Sequence, residues 1–445
     1  MKIWTALGRW EEDLVSTSHE FDVVIVGAGI VGLASAYHTL SQNPGCRVVI
    51  VEKAGSAGQG DTAKTVAGVR NTFTSEVNRL LSESSIDFYK HIQEELKFDL
   101  HLEFVGYLWL LTDELAKQLE PVIDRMKKDG VALKVWQPSQ LSQMLPKSKL
   151  TIDSDDEEAK IMGLSTIAMG LQGLKCGTLA AEKLVEFYEQ EISKLGGSIR
   201  YGEQVESFIF EPQHNLGLPK EPLVWQDARV KGVVTNRAKI RAEQTVLATG
   251  CWSTNLLNKL GIDSHVRAKK RQVFALKGTG VSNLLFTQGF NEQGVLPLTL
   301  VPPRLIYLKP NPSEGTFWVG VSDHAGRSFT FEEEPAAEDE FYTYNIYPVM
   351  SYYFPYFKDV RPFNKWAGHY DLNTIDGNPY IFEDSGLIVA NGTSGSGIMK
   401  ADSIGRIVAA AQAKKDIAML YGGRHFKVAK LGIETRQVEH EQFVI

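Results

Sequence analysis

Cysteine is scarce: Cys46, Cys176 and Cys251 lie far apart in 445 residues and form no CxxC pair. Such spacing offers neither a disulfide framework nor a cysteine-ligated zinc or iron–sulfur centre, and a reducing cytoplasm is the compartment it fits. Long apolar runs are missing too. No stretch of about 18 uninterrupted apolar residues occurs, which argues against a membrane-spanning helix. The first twenty residues, MKIWTALGRWEEDLVSTSHE, hold acidic side chains where a secretory leader needs an apolar core. The chain therefore reads as soluble or, at most, peripheral to a membrane. A basic surplus is also absent, because 47 Lys plus Arg stand against 54 Asp plus Glu, for a net charge of −7. Nothing sequence-wide attracts a phosphate backbone, and no nucleic-acid partner is expected. Repeats and low-complexity segments do not stand out.

What remains is a globular composition, 43% hydrophobic and 23% charged, so the fold class has to come from patterns. Length alone suggests two or three domains. The stretch FDVVIVGAGIVGLASAYHTL opens with a short β-branched run, Val23 to Val26, and switches to helical spacing after Gly29. A second apolar strand, CRVVIVEK, ends in Glu52, so Phe21 to Glu52 has the order and length of one βαβ unit. Residues 56–74 read as a polar loop, 76–96 as a helix, FVGYLWLLTDE as a strand and 114–128 as a charged helix. From Thr178 an amphipathic helix stops at Gly196 and Gly197, followed by a strand carrying Val205. Gln244 to Gly250 reads as a short buried strand, and the segment from Ser385 as strand, glycine-rich turn and helix. These separated pieces imply one nucleotide-binding domain with a second domain interleaved, whose short runs RQVFALKG, RLIYLKP and GTFWVGVSD suggest an antiparallel sheet.

Gly27, Gly29 and Gly32 form G-x-G-x-x-G between strand and helix. In that context the glycines allow a tight turn, a close backbone approach to a pyrophosphate and close helix packing, and the helix N-terminus faces the anion. The bare motif also arises in turns that bind nothing. The flanking strand and helix, and an acid at the end of the next strand that can accept ribose hydroxyls, favour the dinucleotide reading.

With these motifs the sequence resembles the flavin-dependent oxidoreductases of the D-amino-acid oxidase and sarcosine oxidase type, the DAO family. The resemblance runs from Phe21 through the mid-chain Ala248 to Gly250, with Trp252 and Ser253 behind it, to WAGHYDLNTIDGNPYI and GLIVANGTSGSGI. Within the family the sequence resembles the archaeal dye-linked L-proline dehydrogenase group. It implies an α/β fold: a Rossmann-like FAD-binding domain of residues 1–98, 165–260 and 366–445, interleaved with a smaller α+β substrate domain of residues 99–164 and 261–365 that contains a mainly antiparallel sheet.

The family pattern, carried over, makes Gly27, Gly29, Ile30, Gly32 and Glu52 the ADP-binding residues, with Lys53 beside the ribose. Asp61, Thr62, Lys64 and Thr65 would approach the pyrophosphate and flavin, where hydroxyls and backbone N–H groups are useful donors; an ordinary surface loop has the same composition. Val205 would hold the adenine edge, although a plain core valine fits equally, and Gly250 and Trp252 would pack near the cofactor. Gly392, Gly395, Ser396, Gly397, Ile398, Met399 and Lys400 open a helix whose positive end could face the electron-rich N1/O2 edge of a reduced flavin. Some relatives carry a cysteine for covalent attachment before the corresponding "YD" element. Here the residues are Gly368, His369, Tyr370 and Asp371, so noncovalent FAD is expected. Sarcosine oxidases place a lysine where Met399 stands, and Lys400 could equally be a solvated helix residue.

An amino or 2-hydroxy acid needs a positioned cation for its carboxylate, and the resemblance assigns that place to Arg70. Tyr307, His369 and Tyr370 are candidates for further polar contacts. The aromatic run FYTYNIYPVMSYYFPYF could wall a pocket, face a partner subunit in an oligomer, or simply pack as a helix. The implied activity is an FAD-dependent dehydrogenase of a small amino acid such as L-proline, passing electrons to a carrier. The alternatives are an enzyme of another amine or 2-hydroxy acid (sarcosine, glycine, lactate, 2-hydroxyglutarate) and a non-catalytic flavoprotein subunit. The sequence identifies no electron acceptor.

Overall fold

A computed structural model of the chain describes residues 20–322 and 327–443, so the reading of the first twenty residues falls outside them save for Glu20. The chain divides into two compact units. The first comprises the segments up to Ala63, Ala181–Ala268 and Tyr370–Val438, and the second Lys64–Ala180, Lys269–His369 and the segment from Glu439.

The first unit is built on an eight-stranded sheet with Phe21–Val26 at its centre. That strand pairs in parallel with Val48–Glu52 on one side and Lys239–Leu247 on the other, and parallel pairing continues outward to Ser198–Tyr201 and Leu387–Asn391. Burial on both faces explains the β-branched run, since Val24 and Ile25 are fully enclosed. The helices Ile30–Gln42, Ala181–Lys194 and Ala401–Gln412 belong to this unit. The strand expected at 244–250 is longer, Lys239–Leu247. Its first half pairs antiparallel with Ala228–Thr235 and is alternately exposed, and only its last three residues form a continuous buried run.

The second unit carries the other eight-stranded sheet, in the order Pro362–Asn373, Val266–Leu276, Thr316–Gly320, Ile306–Asn311, Leu298–Val301, Tyr107–Thr112, Ile167–Gly173, Leu133–Trp136. From Val266–Leu276 onward the pairing is antiparallel except where Leu298–Val301 runs parallel to Tyr107–Thr112. The aromatic run packs as a helical segment, with Phe341, Tyr342, Tyr352, Tyr353, Phe354 and Phe357 in this unit's core and Tyr344 exposed. No helix among the described residues is long and apolar enough to cross a membrane.

The interleaving follows boundaries other than those expected. Residues 64–98 and 165–180 belong to the second unit because Gly68–Arg70 pairs with Cys176–Thr178, and Tyr107–Thr112 with Ile167–Gly173. Hydrophobic periodicity finds the helix Glu76–Glu94 but does not say which sheet it serves. The chain from Glu439 also returns to this unit. Glu441 is buried, its Oε1 accepting from Thr74 N at 2.9 Å and Oε2 from Ser75 N at 3.1 Å and Asn78 Nδ2 at 3.1 Å, at the N-terminus of that helix. These donors hold the Glu441 carboxyl below its usual range despite burial. The Phe443 ring lies 4.7 Å from that of Trp109, inside a cluster with Leu111, Ile123 and Met126. Phe443→Ala is expected to lower the unfolding free energy in urea by about 3–5 kcal/mol; a loss below about 1 kcal/mol would mean that this returning segment is not part of the core.

Candidate cofactor and active site

The glycine turn after Phe21–Val26 is shaped by contacts that exclude any side chain. A β-carbon on Gly32 would lie 2.0 Å from the Gly27 carbonyl oxygen, and one on Gly27, where φ is +100°, would lie 2.7 Å from the Ala248 carbonyl oxygen. Gly29 differs: a β-carbon there would make only an ordinary contact, with Thr62 Oγ1 at 3.5 Å, at the start of the helix Ile30–Gln42. No side chain of Gly29 caps that helix, and Thr62 supplies the acceptor instead, with Ile30 N donating to its Oγ1 at 3.1 Å. Glu52 anchors the turn from the next strand, its two carboxylate oxygens accepting from Ala28 N at 2.7 Å and Ala54 N at 2.8 Å. Each oxygen retains acceptor capacity. Beside it the Lys53 ammonium lies 4.4 Å from the Trp252 ring centroid. Gly250, with φ at +51°, has open space where a β-carbon would stand, and its carbonyl accepts from Asn391 Nδ2 at 2.9 Å. Val205 sits in the core cluster of this unit with Val24, Val26 and Val51. Cys251 is buried, and desolvation together with the Asp371 and Asp61 carboxylates pushes its thiol far up, which makes it unreactive.

The second glycine-rich turn, Gly392 to Gly397, is held from below by the end of the strand Pro362–Asn373. Buried Asp371 accepts from Thr393 N (2.9 Å), Thr393 Oγ1 (2.7 Å) and Ser394 N (3.1 Å). The Tyr370 ring fills the place of a side chain on Gly395, where a β-carbon would come within 2.4 Å. Ser394 adopts φ +51°, a left-handed conformation unusual for a residue other than glycine. Ile398, Met399 and Lys400 form a buried 3₁₀ turn leading into Ala401–Gln412. Lys400 is enclosed, its Nζ donating to Ser396 Oγ at 2.8 Å, and the solvated-helix reading is corrected: the lysine ties the turn to its own helix.

The remaining candidates lie in the second unit. Lys64 O accepts from Trp366 Nε1 at 3.0 Å, and Thr65 Oγ1 accepts from Ala67 N at 3.0 Å in a local turn. Arg70 does not present a free guanidinium. It is buried with Nη1 and Nη2 each 3.2 Å from the Phe443 carbonyl oxygen, Nη1 also donating to Thr72 O, and its plane covers the Phe73 ring at 4.0 Å. Arg70 thus fastens the returning segment, with main-chain acceptors on both of its terminal nitrogens. Tyr307 is buried on Ile306–Asn311, and a β-carbon on Gly320 would meet its hydroxyl at 2.3 Å. His369 stacks on Phe331 with centroids 5.7 Å apart, and its Nε2 accepts from Glu332 N at 3.4 Å. Tyr370 is thus the one catalytic candidate that shares a unit with the glycine-rich turns.

The sequence model of the family described as DAO, FAD dependent oxidoreductase, matches residues 22–411. The chain belongs to the DAO family. Among curated relatives, FAD-dependent oxidoreductase domain-containing protein 1 of Bos taurus is 25% identical over 441 residues, covering 90% of this chain and 84% of its own. Sarcosine oxidase subunit beta of an Arthrobacter species is 22% identical over 370 residues, covering 81% and 78%. Among solved structures, L-proline dehydrogenase from P. horikoshii superposes with a TM-score of 0.71 at 22% identity, over 89% of this chain and 94% of that one.

As a DAO-family flavoprotein the chain needs a place for FAD, and the first unit fits it. Gly29 adds no side chain at the helix N-terminus where a pyrophosphate would lie. Thr249, whose Oγ1 is buried without a hydrogen-bond partner among the described residues, borders the same turn, its Cγ2 3.2 Å from where a β-carbon of Gly27 would stand. Gly27, Gly29, Ile30, Gly32, Glu52 and Thr62 would hold the ADP half. Asp371 and Asn373 brace the second glycine-rich turn, a role that the sequence did not disclose. Both stand in the family-like stretch GHYDLN, but their role as braces depends on a turn some twenty residues later.

Burial pushes the Asp371 carboxyl up from 3.8 to about 6, against the lowering effect of its bonds to Thr393. The folded chain therefore keeps this proton to higher pH than the unfolded chain does. Its contribution favours folding at low pH and is lost as pH rises from about 4 to about 6, on the order of 3 kcal/mol in all. Urea unfolding of the wild type and Asp371→Asn across that window is expected to show the wild type losing ground to the variant as pH rises; parallel profiles would contradict the assignment.

Proposed function

We propose that this DAO-family protein is a dehydrogenase of a small amino acid, with L-proline or a similar secondary amine first, that binds FAD without a covalent bond and hands electrons to a carrier. The observation that carries the reading is the pair of glycine-rich turns in one unit, each placed at the start of a helix. The choice of amine is supported by the likeness to proteins named L-proline dehydrogenase and sarcosine oxidase subunit beta, whose named substrates are both secondary amines. When bound, FAD accepts a hydride from the carbon that carries the substrate nitrogen.

The residues of this chain do the rest. The N-terminus of Ile30–Gln42 receives the phosphates and Glu52 the ribose hydroxyls. Asp371 and Tyr370 hold the turn 392–397 in one shape, so that its backbone dipoles face the flavin without reorganising. Noncovalent binding is supported by Gly368 and His369, which offer no thiol before Tyr370 and Asp371. A cytoplasmic location is supported by three free cysteines, two of them buried. A partner subunit as electron acceptor is supported by a relative that is itself named as a subunit.

The test is an anaerobic titration of the FAD-loaded protein with L-proline, sarcosine, glycine, lactate and 2-hydroxyglutarate, following the flavin band near about 450 nm. Bleaching by L-proline or sarcosine is the expected outcome. Bleaching by lactate or 2-hydroxyglutarate alone would replace the amine with a hydroxy acid, and a full panel without bleaching would favour a flavoprotein whose FAD is structural.

A further inference from the structure

The segment after the last strand contributes Arg436, and its guanidinium reaches into the turn that precedes the second glycine-rich turn. Nε and Nη2 grip the two carboxylate oxygens of Asp376 at 2.6 Å each, and Nη1 donates to the carbonyls of Pro379 (3.2 Å) and Leu431 (3.3 Å). Nη2 also reaches Asn378 O at 3.0 Å. Both partners of the ion pair are largely enclosed, a setting in which a bidentate fork fixes direction as well as distance. Asp376 passes the constraint on, because its Oδ1 accepts from Asn373 Nδ2 and from Asn378 N, both at 3.0 Å. Asn373 in turn donates its backbone N–H to Ser394 Oγ at 3.0 Å, and its β-carbon lies 3.0 Å from where a side chain on Gly392 would stand.

Ser394 is the residue with left-handed φ inside that turn. Such a conformation persists only where surrounding contacts over-determine it. Asp371 holds Ser394 through its backbone N–H and Asn373 holds it through its hydroxyl. The Asp371 contact is local to the strand end. The Asn373 contact is the last link of a chain that begins at Arg436.

We propose that Arg436 is a remote positioning residue for the flavin-facing turn, acting through Asp376 and Asn373 on Ser394. The inference rests on the reading of residues 392–397 as facing FAD and adds to it a determinant more than thirty residues downstream that touches neither cofactor nor substrate. Lysine keeps the charge but cannot reproduce the fork, so Arg436→Lys separates direction from charge.

The experiment measures FAD affinity, the visible circular dichroism of bound flavin and the melting temperature for wild type, R436K, S394A and the double variant. R436K is expected to bind FAD about tenfold more weakly, with an altered flavin dichroism band. In the double variant the loss is expected to fall short of the sum of the single losses, because both changes cut one path. A lowered melting temperature with wild-type affinity and dichroism would reduce Arg436 to a stabilising residue and overturn the relay, as would strictly additive losses. If R436K is recovered only unfolded, S394A alone decides, since unchanged dichroism there overturns the relay at its last link. A wild type that takes up no FAD would overturn the reading of the turn as well, which distinguishes the two failures.

Discussion

The first unit depends on places where a methyl group has no room. The α-carbon of Gly32 faces the carbonyl of Gly27, and the α-carbon of Gly405 faces the backbone of Ala34, where a β-carbon would come within 2.5 Å. These contacts bring the helices Ile30–Gln42 and Ala401–Gln412 backbone to backbone, and the first of them tight against the turn that precedes it. Polar side chains then lock what the glycines permit: His38 Nε2 meets Asp402 Oδ1 at 2.6 Å and Thr39 Oγ1 donates to Gln412 Oε1 at 2.6 Å, all four residues buried. Both helices start at a glycine-rich turn, so the packing of their flanks decides where their N-termini stand. A cofactor site at those ends inherits its precision from van der Waals exclusion some distance away.

Carboxylates serve as architecture in both units. Glu52, Asp371 and Glu441 each gather backbone N–H groups at a turn or helix start and so satisfy donors that would otherwise be buried without partners. The environment determines the cost. Glu441 gains enough donors to favour its ionised form, whereas enclosure and the nearby Asp61 carboxylate leave Asp371 close to half-protonated in mildly acidic conditions. The same chemical group is a fixed strut in one place and a titrating one in the other.

Local order made much of the fold legible. The βαβ beginning at Phe21 carries its strand, turn and helix signals within a few residues of one another, and the helices Glu76–Glu94 and Ala181–Lys194 announce themselves by period and by their stops. What stayed hidden was long-range. That Glu76–Glu94 belongs to the second unit follows from a pairing about a hundred residues away, and that Arg70 is occupied follows from a carbonyl at residue 443. Arg436 has no local signature at all, since its importance lies in a carboxylate sixty residues earlier. The glycines that the family resemblance singles out stand where backbone contacts leave little choice of residue, as at Gly27 and Gly32. Arg70 differs from the glycines in that its side chain takes the acceptors that distant parts of the chain bring.

The discontinuous sheet has a consequence for how the protein is made. Val26 lies opposite Leu247, and Leu247 opposite Val389. A chain emerging from the ribosome can zip Phe21–Val26 to Val48–Glu52 early, but the other edge of that strand, apolar from Val23 to Val26, stays open until the middle of synthesis, and the next edge until near its end. An unpaired apolar edge is a template for pairing with the wrong chain. The arrangement that places two helix starts in one unit of the finished fold therefore leaves its central strand half-paired for much of the chain's synthesis.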